Sequence, residues 1–210
     1  IVAALLDPPF RPGLVDRFLV AAAMQGLDPL LVLNKVDLAT EAGLDEDDLE
    51  LLLDPWLAAD VPVLLASADA ERGIDELSAV LSDGISLLVG HSGVGKTSLL
   101  NAVSPGLQLG TGAVTRYHGR GRHTTTRVRL LPLDSGGWVV DSPGIREFAL
   151  EDVPPNELAR LYPGFGELPD ACRFRNCLHL AEPGCAVRDA VEEGEFDEDR
   201  YEGYLKLTEG

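Results

Sequence analysis

The sequence predicts a doubly wound α/β fold with a mostly parallel sheet, followed by a small C-terminal domain of helices and loops. Four short apolar runs are separated by helical patterns, and each run is nearly continuous in apolar residues rather than alternating. Such runs are expected for parallel strands that helices cover on both faces. From about Val153, prolines and glycines crowd the chain, and all three cysteines follow. We therefore expect one domain in residues 1–150 and another in residues 151–210.

The strand and helix candidates alternate along the first domain. The predicted strands are residues 1–7, 29–35, 61–67 and 85–90, and the predicted helices between them are residues 14–25, 46–57 and 74–84. Pro55 predicts an interruption of the second helix, because proline removes a backbone donor. The stretch KTSLLNAV predicts another helix, stopped by Pro105. Residues 127–141 predict a β-hairpin around a DSGG turn.

Composition restricts the classes of protein to consider. The 210 residues are 45% hydrophobic, and 35 acidic against 17 basic residues give a net charge of −18. This balance argues against non-specific nucleic-acid binding by the whole surface, although it leaves room for a local basic patch. No apolar run approaches the roughly 20 residues that span a bilayer. We expect a cytoplasmic monomer without membrane contact.

The N-terminal run IVAALLD is too short for a signal peptide and lacks its basic flank. Because Ile1 opens directly on a predicted strand, with no Met or leader before it, we expect the chain to be a fragment of a longer protein.

A phosphate-binding loop is predicted where GHSGVGKT fits the pattern G-x-x-x-x-G-K-[ST]. Small residues let backbone N–H groups surround a phosphate, and the following helix adds partial positive charge. Lys96 is suited to bridge the β- and γ-phosphates, and Thr97 to ligate Mg²⁺. The alternative is a glycine-rich turn that binds nothing, which the flanking strand and helix disfavour. The predicted contact residues are Gly90, His91, Ser92, Gly93, Val94, Gly95, Lys96, Thr97 and Ser98.

The segment DSPG follows the predicted strand WVV. Asp141 at that strand end is suited to hold Mg²⁺ through water. The amide of Gly144 is placed to contact a γ-phosphate. By itself, D-x-x-G is also typical of a plain turn after a strand.

The segment NKVD follows the second predicted strand, with Asn34, Lys35 and Asp37 as candidate base contacts. A carboxylate can accept hydrogen bonds from guanine N1–H and its N2 amino group, a donor pair that adenine lacks. The stem of Lys35 can cover the face of the base. Helix capping by Asp37 is the alternative. Ser67 and Ala68, after the third strand, are candidates for a backbone contact to the base oxygen.

These four elements all follow predicted strands, and the carboxyl ends of strands are where α/β sheets bind ligands. Together they predict a GTP site with Mg²⁺. In the conventional GTPase order, the phosphate loop comes first and N-K-x-D and S-A come last, whereas here the last two precede the phosphate loop. The sequence therefore indicates a circularly permuted GTPase in which helix 74–84 turns at Gly84 into strand 85–90, a rearrangement tolerated where termini lie close together.

The loop GRGRHTTTR lies between the phosphate loop and D-x-x-G, where a switch segment is expected. One of Thr124, Thr125 and Thr126 is expected to contact Mg²⁺ and the γ-phosphate, and we select Thr125. Residues 112–129 hold five arginines and no acidic residue. That local reversal of charge fits either a nucleic-acid contact or a solvated loop.

The residue after Gly144 is Ile145, where Ras-like enzymes place a glutamine that orients the attacking water. We select His123 as the catalytic candidate, because histidine commonly orients water and handles protons. The alternatives are a surface His123 on an RNA phosphate, or catalysis by His91.

Three cysteines and one histidine cluster near the C-terminus: Cys172, Cys177, His179 and Cys185. Such a set suits a closed tetrahedral structural Zn²⁺ site. Buried thiols with a surface histidine are the alternative. Arg173, Phe174 and Arg175 lie between ligands and are candidates to touch RNA.

The permuted order, GRGRHTTTR, DSPGIREF and CRFRNCLHLAEPGCAVRDAV together resemble the RsgA (YjeQ) family of small-ribosomal-subunit biogenesis GTPases. The resemblance implies a cytoplasmic bacterial GTPase that binds the 30S subunit and its rRNA late in assembly and is stimulated by it. It also implies an N-terminal OB-fold, absent from this chain, a permuted GTPase domain and a C-terminal zinc domain. Alternatives are a phosphate-loop ATPase or small-molecule kinase, and a zinc adaptor that binds GTP without hydrolysing it.

Overall fold

The computed structural model describes residues 1–110, 129–141 and 153–208. Within them, no helix combines the length and the apolar composition that crossing a bilayer requires. The strands are β1 Val2–Ala4, β2 Leu31–Asn34, β3 Val63–Leu65, β4 Ile85–Leu87, β5 Arg129–Pro132 and β6 Trp138–Asp141. The helices are α1 Pro12–Met24, α2 Glu46–Leu57, α3 Ile74–Leu81, α4 Lys96–Val103, α5 Pro155–Leu161, α6 Ala186–Glu192 and α7 Glu198–Thr208.

The strands form two three-stranded sheets, in the orders β1-β2-β3 and β4-β6-β5. Strand β1 runs parallel to β2, with Ala4 opposite Asn34, and β4 runs parallel to β6. The predicted hairpin is present, because β5 pairs antiparallel with β6. The amide of Val2 donates to the carbonyl of Val89 at 2.7 Å, which ties β1 to the chain just after β4. The predicted α/β class with mostly parallel strands is confirmed.

The chain divides into two compact units. The first comprises residues 1–10, 31–45 and 64–147, and the second comprises residues 11–30, 46–63 and 148–210. Helices α1 and α2 thus belong to the second unit, although they precede the phosphate loop in the chain. The division into domains at residue 150 stays a prediction.

In the first unit, strand β2 is fully buried, and the side chains of Leu31 and Leu33 expose no surface. Gly84 has a positive φ of 71° and connects α3 to β4 without a longer linker, as the permuted order requires. A side chain there would be strained, because only glycine adopts that backbone region at no steric cost.

The predicted interruption of α2 at Pro55 is wrong, since the helix continues to Leu57. Proline removes the hydrogen bond to the carbonyl four residues earlier, which belongs to Leu51. Leu51 is 75% exposed, so water can reach that side of the helix. On the opposite side, Trp56 is buried and anchors the last turn.

The core of the second unit is aromatic and includes the cysteine cluster. The residues of this core are Val20, Leu158, Ala159, Tyr162, Phe165, Cys177, Cys185, Val187, Tyr204 and Leu207. After Cys185 the chain forms the two helices α6 and α7. Tyr204 on α7 is fully buried and packs in this core.

A buried ionic network joins four segments of the second unit. The carboxylate of Asp16 on α1 accepts hydrogen bonds from Trp56 Nε1 at 2.9 Å and from the Tyr162 hydroxyl at 2.8 Å. The Arg200 guanidinium of α7 lies 3.2 Å from the same carboxylate. Arg200 also donates to the carbonyls of Pro55 and Pro163. The first and last helices of the unit are thereby tied together.

Candidate nucleotide site and candidate metal centre

The phosphate loop takes a backbone path that its glycines make possible. Gly90, Gly93 and Gly95 all have positive φ angles, of 150°, 88° and 94°. A Cβ added at Gly90 would collide with the carbonyl oxygen of Val2. Glycine is therefore required both by the conformation and by the close approach of the neighbouring strand.

Helix α4 begins at Lys96, directly after the loop, so its first backbone N–H groups carry partial positive charge toward the loop. The Lys96 ammonium donates to the carbonyls of Gly90 and His91, at 2.7 and 2.9 Å. It therefore curls back over the loop. Thr97 and Ser98 lie in the first helical turn, as their proposed contacts require.

Asn34 brings the N-K-x-D segment against the phosphate loop. Its side-chain amide donates to the carbonyl of Val94 at 2.8 Å across 60 positions of sequence, and the residue is buried. A Cβ added at Gly95 would collide with the Asn34 Nδ2 atom. The two motifs therefore share one location. Within the described residues, the buried Oδ1 atom of Asn34 has no hydrogen-bond donor.

Asp37 is exposed and is oriented by the segment after β3. The hydroxyl of Ser67 donates a short hydrogen bond to the Asp37 carboxylate, and the amide of Ala70 donates to that hydroxyl at 3.0 Å. Ser67 is buried, and Ala68 follows it directly. The sequence indicated a backbone contact for Ser67 but not this role of its hydroxyl.

Lys35 adopts a left-handed backbone conformation with φ of 63°, and its ammonium donates to the carbonyl of Asp7, after β1. Three segments of the first unit thus meet around N-K-x-D. Nothing in the spacing of the sequence indicated this contact of Asp7.

Several predicted site residues lie outside the described residues. These are His123, Thr124, Thr125, Thr126, Gly144 and Ile145. Asp141 is the last residue of β6, where its backbone pairs with Arg129. The side chain of Asp141 is not among the described parts of the structure. Their assignments stay predictions.

The four predicted metal ligands converge. One ligand atom each from Cys172, Cys177, His179 and Cys185 lies within 4.8 Å of all the others. The His179 Nδ1 atom is 3.5 Å from the Cys172 sulfur and 3.4 Å from the Cys185 sulfur. Zn–S bonds of about 2.3 Å in a tetrahedron place sulfurs about 3.8 Å apart, close to the 4.0 Å between Cys172 and Cys185. All three cysteines are free thiols, so the donor set fits zinc.

Three side chains that sequence reasoning missed hold the backbone around His179. Glu182 accepts hydrogen bonds from the amides of Leu178, Leu180 and Ala181 at 2.8–3.0 Å. The hydroxyls of Tyr201 and Tyr204 on α7 donate to the carbonyls of His179 and Leu178. His179 has a positive φ of 60°, an uncommon conformation that these contacts stabilise.

Burial shifts the pKa values of Cys177 and His179 in the cluster. Desolvation raises the pKa of the Cys177 thiol to about 12, and it lowers the pKa of His179. The imidazole is therefore neutral near pH 7, the form that ligates a metal. Burial also raises the pKa of the Cys185 thiol, so without a cation Cys177 and Cys185 stay protonated near pH 7.

The fold and the site define the class of the protein: a circularly permuted phosphate-loop protein of the GTPase type, with a Cys₃His cluster near the C-terminus. The family model of the RsgA GTPase matches residues 1–151. The chain belongs to the RsgA GTPase family.

Similar proteins support this assignment. The chain is 42% identical to the small ribosomal subunit biogenesis GTPase RsgA of Chromohalobacter salexigens, over all of this chain and 61% of that protein. It is 43% identical to RsgA 1 of Vibrio vulnificus, over all of this chain and 58% of that protein. The chain thus spans about three fifths of the length of these curated relatives.

Two solved structures share the fold. The crystal structure of YjeQ from Thermotoga maritima matches 99% of this chain and 68% of that chain, with 39% identity and a TM-score of 0.80. The structure of YloQ, described as a circularly permuted GTPase, matches 99% of this chain and 65% of that chain, with 32% identity and a TM-score of 0.76.

Proposed function

We propose that this chain binds GTP with Mg²⁺ and hydrolyses it to GDP and phosphate. The observation that carries the proposal is the hydrogen bond from Asn34 to Val94, because it joins a segment suited to read guanine to a loop suited to hold phosphates. The Oδ1 atom of Asn34 supports it, because this buried atom has no donor within the described residues and buried polar atoms ordinarily find a partner.

The proposed role of each residue combines contacts of the described residues with the predictions from the sequence. The Asp37 carboxylate, oriented by Ser67, accepts hydrogen bonds from guanine, and the Lys35 stem covers the base. The loop amides and Lys96 hold the β- and γ-phosphates. In this assignment Thr97, Thr125 and Asp141 hold Mg²⁺, directly or through water, and the Gly144 amide contacts the γ-phosphate. Magnesium, when bound, neutralises charge on the phosphate oxygens.

The catalytic assignment is tested by His123→Ala. We propose that His123 orients the attacking water, since Ile145 carries no polar group for that task. In a multiple-turnover phosphate-release assay, His123→Ala is expected to lower the turnover rate by at least about 100-fold, as loss of a general base commonly does. GDP affinity should stay within twofold of wild type. An unchanged rate would remove His123 from the mechanism.

We further propose a cytoplasmic role as a checkpoint factor in late maturation of the small ribosomal subunit, with binding to its rRNA and stimulation by the subunit. The relatives carry names of small ribosomal subunit biogenesis GTPases, which supports this role. Co-sedimentation with 30S subunits should be stronger with a GTP analogue than with GDP. Equal retention with both nucleotides would refute a γ-phosphate switch.

The same assays separate the alternatives. A phosphate-loop ATPase or kinase would let ATP displace labelled GDP as well as GTP does. A non-hydrolysing zinc adaptor would bind GTP but release no phosphate, with or without 30S subunits.

We propose that the Cys₃His cluster holds one structural Zn²⁺ in a C-terminal domain of residues 151–210, after a permuted GTPase domain in residues 1–150. The set leaves no open coordination position, which favours a structural over a catalytic ion. Metal analysis should find one equivalent of zinc, and Cys185→Ser should lose it. Iron in its place would contradict the zinc assignment.

A further inference from the structure

An exposed aromatic side chain lies in the turn between the first two cluster cysteines. Phe174 is 40% exposed, whereas Trp56, Tyr162, Phe165 and Tyr204 of the same unit are each at most 2% exposed. Within the described part of this unit, Phe174 is the one aromatic side chain that is exposed rather than wholly or partly buried. The fold therefore buries other large rings but presents this ring to solvent.

Two exposed arginines, Arg173 and Arg175, flank the ring. Four other cations of the unit, by contrast, pair with carboxylates: Arg160, Arg188, Arg200 and Lys206. Among the described residues, neither Arg173 nor Arg175 forms such an ion pair. In a chain of net charge −18, an exposed cationic turn of this kind is a local reversal of the surface charge.

The turn is held in place at both ends. The amide of Arg173 donates to the carbonyl of Gly184 at 3.0 Å, beside the cluster residue Cys185. The amide of Cys177 donates to the carbonyl of Phe174 at 3.2 Å. Since Cys172 and Cys177 are both in the cluster, the turn starts and ends at proposed ligands. Because the backbone of the turn is already fixed, a partner would bind it with little loss of conformational entropy.

The Arg173 guanidinium lies over one face of the ring, with its carbon 5.4 Å from the ring centroid. Beside this contact Phe174 is still 40% exposed, so part of the side chain is accessible to a second planar group. An unpaired nucleobase is such a group, and Arg173 and Arg175 can contact the phosphates on either side of it. The acidic side chains of a peptide would pair with the arginines, but they have no aromatic face to stack on the ring.

We infer that the turn of residues 173–175 binds unpaired RNA, with one base stacked on Phe174 and the flanking phosphates held by Arg173 and Arg175. This inference rests on the proposed role at rRNA and names the surface and the kind of RNA. Base stacking on aromatic residues tolerates any base, so the turn recognises single-strandedness rather than sequence.

The test measures binding of the zinc-loaded chain to a fluorescent 12-nucleotide single-stranded RNA and to the duplex of the same sequence. We expect the single strand to bind more tightly. Phe174→Ala should weaken single-strand binding by about tenfold or more, and Phe174→Tyr should retain it. Leu180→Ala is the matched control, because Leu180 is 46% exposed in the same region. It should change the affinity by less than about twofold, as expected for a surface residue off the contact.

The arginines are tested by salt dependence. Arg173→Ala and Arg175→Ala should each reduce the slope of log affinity against log salt by about 0.7, the value expected for one phosphate contact on a single strand. Arg160→Ala removes one paired exposed cation and should leave the slope unchanged. Zinc content and GDP affinity should match wild type in every variant, which separates a failure at this turn from a failure of the nucleotide site.

Several outcomes would overturn the inference. These are an absence of RNA binding by the wild type at low salt, equal losses with Phe174→Ala and Leu180→Ala, and preference for the duplex. If poly-glutamate displaces the fluorescent RNA as well as unlabelled RNA does, and its binding depends on the same residues, the surface binds acidic protein instead. If Phe174→Ala weakens 30S binding but not RNA binding, the turn contacts a ribosomal protein.

Discussion

Replacing Arg200 by methionine is expected to destabilise the second unit strongly. Arg200 is 4% exposed and Asp16 1% exposed, with 3.2 Å between guanidinium and carboxylate. At an effective dielectric constant of about 20, that separation corresponds to about 5 kcal/mol of attraction. Desolvation of two buried ions costs several kcal/mol each, so the intact pair contributes little net stability. Replacing Arg200 alone, however, leaves the Asp16 carboxylate buried without its partner charge.

The magnitude follows from what remains around Asp16. Trp56 and Tyr162 still donate to the Asp16 carboxylate. We therefore expect the loss of the arginine charge to destabilise the unit by about 3 kcal/mol, the lower end of the range for a broken buried ion pair. The carbonyls of Pro55 and Pro163 lose their guanidinium donors, at about 1 kcal/mol each. We expect Arg200→Met to lower the free energy of unfolding by about 3–5 kcal/mol.

The assay is urea unfolding of the zinc-loaded chain, followed by fluorescence and circular dichroism. Arg160→Met is the matched control, since its ion pair with Asp170 is exposed, and it should cost less than about 1 kcal/mol. The double variant Asp16→Asn with Arg200→Met should be more stable than the sum of the single losses by at least about 1.5 kcal/mol, because neither buried charge remains. Additive losses, or a cost of Arg200→Met below about 1 kcal/mol, would refute the reasoning.

The remaining predictions concern pH, the metal cluster and the phosphate loop. Burial and the nearby Asp16 raise the pKa of Tyr162 above its usual 10.0, so the stability that its neutral form provides is complete below pH 10.0 and is lost as pH rises further. In urea titrations of zinc-loaded protein from pH 9 upward, wild type should lose up to about 1.4 kcal/mol per pH unit more than Tyr162→Phe, and equal slopes would contradict this. A strong chelator should lower the melting temperature by about 10 °C, and after Cys185→Ser the chelator should have no further effect. Asn34→Ala should weaken Mg²⁺·GDP binding about tenfold in a fluorescence titration, and an unchanged affinity would show that its bond to Val94 does not position the loop.

The proximity of the two predicted nucleotide motifs could be expected from the sequence, because each motif is a short, contiguous pattern at the end of a predicted strand. GHSGVGKT and NKVD each place polar residues directly after an apolar strand, and the structure joins them through Asn34. The contact of the Ser67 hydroxyl with Asp37 was not predictable, since a Ser-Ala pair carries no signal of which atom is used. The cysteine cluster was predictable because thiols and imidazole are rare and lay close in sequence.

The buried network was not predictable. Its four residues are separated by up to 184 positions, and no local sequence pattern distinguishes any of them from an ordinary helix or loop residue: Asp16, Trp56, Tyr162 and Arg200. Only the packing of the second unit brings them together. The continuation of α2 through Pro55 has the same origin, because tertiary anchoring of Trp56 outweighs the local effect of proline. The grouping of α1 and α2 with the C-terminal helices likewise depends on contacts that chain order does not reveal.

We propose that the N-K-x-D segment and the phosphate loop bind the base and the phosphates of one nucleotide. Equilibrium competition of GTP and ATP against a fluorescent GDP tests it on wild type, Asp37→Ala and Lys96→Ala. We expect wild type to prefer GTP over ATP by at least about 100-fold. Asp37→Ala should abolish this preference while weak binding of both nucleotides remains, and Lys96→Ala should weaken the binding of both nucleotides equally. A guanine preference that survives Asp37→Ala would contradict the shared site.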